Sequence, residues 1–229
     1  MNTALGGLSA DAEDTVAHDT FLYGYQPRSG DTVFDVGAGV GSEVRLFSRL
    51  VGPAGRVVSI EAHPRTFRCL RRAVELNRLR NVTLVECAVV GEAGPVHLAE
   101  DSLSHLRNGL GNGLGRGTGG GTGGGGIEVV GRRLDELMES SGVDRIDLLK
   151  MNIEGAELGV LQSCPDALDA VENLAVSCHD FKATGPGDDW MRTFGPVRDL
   201  LRRAGYTVST RPDDPRPWIP YYVYASRHG

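Results

Sequence analysis

A glycine-rich loop that joins a buried strand directly to a helix is the feature that most restricts how this chain can fold. The apolar run Thr32–Val36 is bounded by turn residues and predicts a buried strand. The loop Gly37–Gly41 follows at once, and apolar residues then recur at helical spacing up to Val51. Glycines at such a junction let the backbone approach a ligand closely, and the helix behind them offers free N–H groups. The segment therefore predicts the ligand-binding start of an α/β fold.

Strands and helices alternate along the rest of the chain. Strand-like runs lie at Arg56–Ile60, Val82–Val85, Val96–Leu98, Ile127–Val130, Ile146–Met151, Val171–Ser177, Tyr206–Val208 and Tyr221–Ala225. The last helix, near Trp190–Ala204, could be capped by Asp188 or Asp189. This alternation predicts an α/β fold of the Rossmann-like, doubly wound type, with a mostly parallel seven-stranded sheet and an antiparallel C-terminal strand.

One segment departs from this regular pattern. Twelve of the eighteen residues 109–126 are glycine, and without them the glycine content of the chain is ordinary. Such a tract is typical of a flexible linker, so we expect a loop on the rim of the binding site. The remaining sequence predicts one Rossmann-like domain over residues 27–229, with residues 1–26 as a helical cap over the site.

Charge and composition exclude several classes of protein. The formal net charge of −6 argues against a nucleic-acid surface, which needs a basic footprint. No apolar stretch approaches the ~20 residues needed to cross a bilayer, and the first residues lack the pattern of a secretory signal. The four cysteines are not spaced as zinc ligands or as a disulfide framework. We therefore expect a cytoplasmic protein that binds neither nucleic acid nor membrane.

Acidic side chains stand where the first two strands end, the edge at which doubly wound sheets bind ligands. Asp35 precedes the glycine loop, and Ser42 occupies the third glycine position of the dinucleotide fingerprint. A carboxylate there is a poor neighbour for a pyrophosphate but suits the ammonium and sulfonium groups of S-adenosylmethionine. Glu61 could accept hydrogen bonds from ribose hydroxyls. The alternative is that the glycines only make a tight turn and Glu61 is a solvated carboxylate.

Two segments resemble a known family. The run Val33–Gly41 resembles motif I of class I S-adenosylmethionine-dependent methyltransferases. The run Leu134–Leu137, followed by Ile146–Glu157, is similar to the signature of the FkbM family within that class, and the resemblance covers about residues 30 to 165. Most of the family has aspartate where this chain has Asn152, and usually asparagine where it has Val40.

The resemblance implies methyl transfer from S-adenosylmethionine to a hydroxyl oxygen of a sugar, polyketide or similar small molecule. By the matching positions, the glycine loop lines the methionine moiety, Glu61 holds the ribose and Cys87 borders the adenine. The expected cofactor-binding residues are Asp35, Gly37, Ala38, Gly39, Gly41, Glu61, Ala62, Cys87 and Ala88. The expected partner is a small hydroxylated acceptor, and the sequence leaves a homo-oligomer open.

The expected catalytic residues are Lys150, Glu154 and His179, which follow or end two core strands. Lys150 is one of two lysines in the chain, and burial could make it a base. Alternatively, it pairs with Glu154 or Asp180, or is exposed. His179 could be functional or structural, and Glu157 is best explained by the N-terminus of a helix.

A metal site is a further hypothesis for the same edge. Asn152, His179 and Asp180 could hold Mg²⁺ or another divalent cation, because related metal-dependent methyltransferases place ligands after these two strands. Asparagine is a weaker ligand than the carboxylates that Mg²⁺ prefers.

Two other classes of protein fit parts of the pattern. A nicotinamide-dependent oxidoreductase would explain the strand, the loop and Glu61, although Ser42 argues against it. A non-catalytic nucleotide-binding module would explain Asn152. For the acceptor pocket, we expect lid segments at Ser102–His105 and Lys182–Trp190. Its walls could include Tyr23, Tyr25, Trp190, Trp218, Tyr221 and Tyr222.

Overall fold

The structure is a computed structural model that describes residues 10–98 and 126–228. Its helices are α1 (Ala10–Asp19), α2 (Val44–Val51), α3 (Pro64–Asn77), α4 (Leu134–Ser141), α5 (Glu157–Ser163), α6 (Pro165–Asp169) and α7 (Phe194–Arg203). Its strands are β1 (Thr32–Val36), β2 (Arg56–Glu61), β3 (Val82–Glu86), β4 (Ala88–Val89), β5 (Gly94–Leu98), β6 (Ile127–Arg132), β7 (Ile146–Met151), β8 (Val171–Ser177), β9 (Thr207–Ser209) and β10 (Tyr222–Ser226). The glycine tract, except its last residue, and the lid candidate Ser102–His105 lie outside the described residues.

Seven strands form the main sheet in the order β3-β2-β1-β7-β8-β10-β9. Strands β1, β2, β3, β7 and β8 run parallel, and β10 is antiparallel to both β8 and β9. The predicted doubly wound α/β fold, with its antiparallel C-terminal strand, is therefore confirmed. The strand order reverses between β1 and β7, which is the position where such sheets bind ligands at their carboxyl edge.

The three remaining strands form a separate small sheet in the order β4-β6-β5. Strand β4 is parallel to β6, and β5 is antiparallel to it. The sequence pattern predicted strands at β5 and β6 but not at β4, and it did not predict that these segments leave the main sheet. This small sheet carries Ala88 and Leu98 to one side of the switch point between β1 and β7.

Alternation along the strands divides the core into two layers, because successive side chains point to opposite faces of a sheet. On one face, Phe34 and Leu149 pack with α4, α5 and α7. On the other face, Val33 and Leu148 pack with α2 and with Phe21, which follows α1. The salt bridges from Asp14 to Arg45 and Arg49, at 2.6 and 2.7 Å, attach α1 to α2.

The last helix begins later than its sequence pattern predicted. Asp189–Met191 form a short 3₁₀ turn, and α7 begins at Phe194. The predicted caps were wrong, because the free N–H groups of Thr193 and Phe194 both donate to Asp180 Oδ2 at 3.0 Å. Asp188 instead accepts bonds within the preceding loop.

No helix within residues 10–98 and 126–228 combines the length and the apolar character needed to span a membrane.

Candidate active site

A cleft opens at the carboxyl edge of the main sheet, where β1, β2 and β7 end. Its empty volume, including the part open to solvent, is about 440 Å³. The cleft is lined by Val36, Gly37, Ile60, Glu61, Ala62, Cys87, Ala88, Val89, Leu98, Asn152, Ile153 and Glu154. Most of the residues predicted for the ribose and adenine thus share one cleft with two residues predicted for the acceptor end.

The glycine loop borders this cleft at Gly37. Two of its positions need glycine for different reasons. At Gly37 the backbone has a φ of +74°, and an added Cβ would lie 2.1 Å from the carbonyl oxygen of Asn152. At Gly39 φ is +58°, and an added Cβ would meet no atom within 4 Å. The first glycine therefore permits the contact between β1 and β7, whereas the second leaves open space beside the backbone.

Two residues of the predicted loop set face away from the cleft. An added Cβ at Gly41 would lie 2.9 Å from Leu70 of α3, so this glycine allows the loop to pack on that helix. The Ala38 side chain is buried in the same cluster, against Val44 and Phe67. These two residues can therefore offer a ligand only their backbone atoms, and their assignment as cofactor contacts stays a prediction.

Glu61 links the loop to the second strand. Its Oε2 accepts a hydrogen bond from Gly39 N at 2.9 Å, and its Oε1 accepts one from His63 N at 2.9 Å. Burial raises the pKa of Glu61, and the two N–H groups oppose that rise only in part. Each oxygen keeps a second lone pair, so the carboxylate can still accept bonds from a ligand in the cleft.

Lys150 lies beneath the loop and not in the cleft. The β1–β7 register places it opposite Asp35, and its Nζ lies 2.8 Å from Asp35 Oδ1 and 2.7 Å from Gly37 O. Both side chains are buried, and the ring of Phe21 covers the ammonium at 4.9 Å. Burial lowers the pKa of Lys150, but the carboxylates of Asp35 and Glu43 outweigh it and raise the pKa above its ordinary value.

The structure therefore corrects three predictions for this pair. Lys150 does not pair with Glu154 or Asp180, because the strand register brings Asp35 to it instead. A charged, enclosed ammonium has no free lone pair, so the proposed role as a base is not supported. Asp35 does not present its carboxylate to the methionine moiety, since that carboxylate is fully buried against the lysine.

Glu154 is the acidic residue at the acceptor end of the cleft. It has a left-handed φ of +57°, which is unusual for a residue with a side chain. Its carboxylate forms an ion pair with Lys182 and lies 3.4 Å from His179 Nε2. Burial opposes the charge of Glu154, but these two cations outweigh burial and hold the pKa below its ordinary value. Glu154 is therefore ionised at neutral pH.

His179 is buried between two carboxylates. Its Nδ1 lies 2.9 Å from Glu157 Oε1, and its Nε2 faces Glu154. Burial alone would lower the pKa of His179, but the two carboxylates raise it to about 9. His179 is thus a charged group that holds its neighbours, and it is not free to act as a base.

The raised pKa of His179 predicts how stability depends on pH. The imidazolium stabilises the fold fully below its unfolded pKa near 6.5, and this contribution is lost as pH rises through about 9. We expect the free energy of unfolding to fall between pH 6.5 and 9.5, by an upper limit of about 3 kcal/mol. Chemical denaturation at several pH values measures this slope. The His179→Gln variant should have a flatter profile, and equal slopes would contradict the prediction.

The predicted metal ligands do not form a ligand set. Both ring nitrogens of His179 face carboxylates, and Asp180 Oδ2 accepts the two N–H bonds that cap α7. Asn152 lines the cleft without either of them. No group of three or more His, Cys, Asp or Glu side chains in the described ranges is arranged to hold a metal ion. The structure therefore does not support Asn152, His179 and Asp180 as a set of metal ligands.

The aromatic residues predicted for an acceptor wall lie at separate places. Tyr23 packs on Tyr224, and Tyr25 donates to Asp31, so neither joins the cleft. Trp190 packs against Gly155, beside Glu154. The ring centroids of Tyr221 and Phe181 are 6.3 Å apart, and those of Phe181 and His179 are 5.7 Å apart.

Tyr222 lies 5.4 Å from Phe21, and Trp218 is 41% exposed. Only Trp190 and Tyr221, of the residues predicted for the wall, therefore lie near the residues of the acceptor end.

Sequence reasoning missed Glu43 and the role of Lys182. Glu43 stands at the start of α2, near Lys150 and Asp35, and burial raises its pKa while Lys150 lowers it. Its signal was an acidic residue two positions after the glycine loop, where it also favours the helix N-terminus. Lys182 was detectable as the second lysine of the chain, within a predicted lid segment.

A second, wider cleft lies at the opposite edge of the sheet and is lined by positive charge. Four arginines line it, namely Arg49, Arg56, Arg78 and Arg80. Helices α2 and α3 end at this cleft, so the cations complement the partial negative charge of the helix C-termini. The arrangement has a structural explanation, and the cleft at the carboxyl edge is the candidate active site.

Comparison with known proteins shows which family the chain is similar to. A sequence model of the Methyltransferase FkbM domain matches residues 35–208, which is most of the chain. The 31-O-demethyl-FK506 methyltransferase FkbM of Streptomyces tacrolimicus is 29% identical to it, over 83% of this chain and 78% of its own length.

Two solved structures share the fold. A methyltransferase FkbM from Methylobacillus flagellatus superposes with a TM-score of 0.53 at 20% identity, over 86% of this chain and 43% of its own. A putative methyltransferase from Streptococcus mutans, in complex with SAH, superposes with a TM-score of 0.52 at 12% identity, over 93% and 96% of the two chains.

Proposed function

Because this chain belongs to the FkbM family of methyltransferases, we propose that it transfers a methyl group from S-adenosylmethionine to a hydroxyl oxygen of a small molecule. The observation that carries the proposal is the cleft at the switch point, where the open backbone at Gly39 meets the Glu61 carboxylate. Family membership argues against the nicotinamide-dependent oxidoreductase.

The residues of the cleft fit S-adenosylmethionine. The free space beside Gly39 admits a ligand against the backbone, and Glu61 has lone pairs for the two ribose hydroxyls. Ala62, Cys87 and Ala88 present small side chains, which suit the flat face of an adenine. The neighbour from Streptococcus mutans was solved with SAH, the demethylated product of this donor, which supports the same ligand here.

We assign Glu154 to the acceptor, because its carboxylate lines the cleft. When bound, S-adenosylmethionine supplies an electrophilic methyl group, and its transfer forms a C–O bond as the C–S bond breaks. The ionised Glu154 carboxylate accepts the hydrogen bond of the acceptor hydroxyl and orients its oxygen. As the C–O bond forms, the hydroxyl becomes strongly acidic, so even a carboxylate of low pKa can take the proton.

Oxygen as the methylated atom is supported by a relative. The name of the Streptomyces tacrolimicus protein specifies a 31-O-demethyl compound as its substrate. Lys150 is enclosed with Asp35 and does not reach the cleft, so among the acceptor-side residues that line the described cleft it is Glu154 that supplies a carboxylate.

Binding of the cofactor is the first test. Titration calorimetry is expected to detect S-adenosylmethionine and its demethylated product. Glu61→Gln should weaken both about 10- to 100-fold, because a hydrogen bond to a charged group contributes about 1.5–3 kcal/mol. Glu86→Gln is the matched control, since Glu86 is exposed at the end of the neighbouring strand and does not line the cleft.

Two outcomes would contradict the proposal. A folded protein that binds neither compound would exclude the cofactor. A protein that binds the cofactor but transfers labelled methyl to no hydroxylated acceptor would favour the non-catalytic module that Asn152 suggested.

A further inference from the structure

A buried chain of polar contacts leads from α7 to the cleft. Thr193 Oγ1 donates to Glu157 Oε2 at 3.0 Å, and Glu157 Oε1 lies 2.9 Å from His179 Nδ1. The other ring nitrogen, Nε2, faces Glu154 Oε1 at 3.4 Å. The members come from three separate segments of the chain, so only the tertiary fold assembles them.

We propose that Glu157, acting through His179, is a positioning residue that holds the Glu154 carboxylate in place for the acceptor hydroxyl. This inference rests on the proposed function. It assigns to Glu157 a role beyond the helix N-terminus that its sequence position suggested.

The Glu157 carboxylate is buried although burial of a charge is unfavourable. Its side chain is fully buried, and His179 is 3% exposed. Removing two charges from water is costly, and apolar residues of similar size are often as stable or more stable in such places. Glu157 Oε1 also accepts the N–H of Gly155 at 3.1 Å, so both oxygens of its carboxylate are engaged. A core built only for stability does not need this arrangement.

The backbone of Glu154 is strained. Its left-handed conformation is unfavourable for a residue with a side chain, and such strain concentrates at functional sites. The next residue, Gly155, has a φ of +100° and lies against Trp190, where an added Cβ would be 2.6 Å from the ring. The hydrogen bond from Gly155 N to Glu157 ties this strained turn to the buried chain.

The polar contacts run from the buried core to the cleft and end at Glu154. Glu154 lines the cleft, whereas Glu157, His179 and Thr193 are buried behind it. Lys182 reaches Glu154 from the 3₁₀ turn that follows His179. The carboxylate is therefore held by two cations, and one of them is fixed in turn by Glu157. Loss of Glu157 would leave His179 free to move or to lose its proton.

The Glu157→Gln variant tests this role, because it keeps the shape and one acceptor oxygen but removes the charge. Activity is measured with labelled S-adenosylmethionine and a panel of methyl glycosides and hydroxylated macrolactones. We expect kcat to fall at least 10-fold, while the Kd for S-adenosylmethionine changes less than twofold. Thr193→Val should lower kcat less, since it removes one hydrogen bond and no charge.

Tyr206→Phe is the control for a purely structural effect. The Tyr206 hydroxyl is buried and lies 2.7 Å from the carbonyl oxygens of both Leu168 and Val171, at the opposite edge of the sheet. This variant should lose stability without losing kcat. If Glu157→Gln behaves like it, the inference is overturned while the proposed function stands. If the wild type binds the cofactor but methylates no acceptor, both are overturned.

Discussion

Replacing Lys150 with methionine is expected to destabilise the protein by about 3–5 kcal/mol, because a buried carboxylate then loses its counter-charge. The Asp35 side chain is fully buried, and the lysine is its partner at 2.8 Å. The same ammonium donates to Gly37 O, so its loss also frees the start of the glycine loop. Chemical denaturation, followed by circular dichroism, measures the change.

Two further variants make this prediction specific. Asp35→Asn, added to Lys150→Met, removes the orphaned charge and should restore part of the lost stability. Lys182→Met is the matched control, because it removes the other lysine, whose pair with Glu154 is partly exposed. A partly exposed pair contributes about 0–1 kcal/mol. Similar destabilisation by the two lysine variants would refute the importance of the buried pair.

Gly37→Ala is expected to lose stability, whereas Gly39→Ala is expected to lose mainly affinity for the cofactor. At Gly37 the new Cβ would overlap the Asn152 carbonyl oxygen and force β1 and β7 apart. Overpacking together with the left-handed conformation costs about 2–5 kcal/mol, so this variant should lose stability. At Gly39 the Cβ meets no protein atom, so the expected cost is only the left-handed conformation, about 1–2 kcal/mol.

Affinity for S-adenosylmethionine distinguishes these two glycine variants. The methyl group at Gly39 would enter the space that we assign to S-adenosylmethionine, so its affinity should fall at least 10-fold in a protein that remains folded. Thermal unfolding and titration calorimetry on the same samples measure both properties. If Gly39→Ala binds S-adenosylmethionine with unchanged affinity, the loop does not contact the cofactor. If Gly37→Ala is as stable as the wild type, the tight contact with Asn152 is contradicted.

The strands and the glycine loop were predictable from the sequence because their signals are local. Apolar runs bounded by turn residues located the strands of the main sheet and two strands of the small sheet, β5 and β6, and the spacing of the glycines located the first turn. Glu61 was predictable because its position at the end of β2 follows from the fold class alone. The start of α7 was misplaced, since its cap, Asp180, lies far from it in sequence.

The charged partners of Lys150 and His179 were not predictable from the sequence. Several carboxylates lay within plausible reach of Lys150, and the sequence does not say which strand neighbours β7. The same holds for His179, whose two carboxylates lie on the segment after β7 and at the start of α5.

What the sequence determined by itself is the doubly wound fold, the edge of the sheet that carries the candidate site, and most of the cleft that we propose for the cofactor. These follow from periodicity and from glycine positions, which act over a few neighbouring residues. The tertiary structure decided which charges are paired and buried. Strand register set Asp35 against Lys150, and the packing of α5 and α7 on the sheet enclosed His179 between Glu154 and Glu157. Ion pairing depends on distances of a few ångströms between distant segments, and only the assembled fold fixes them.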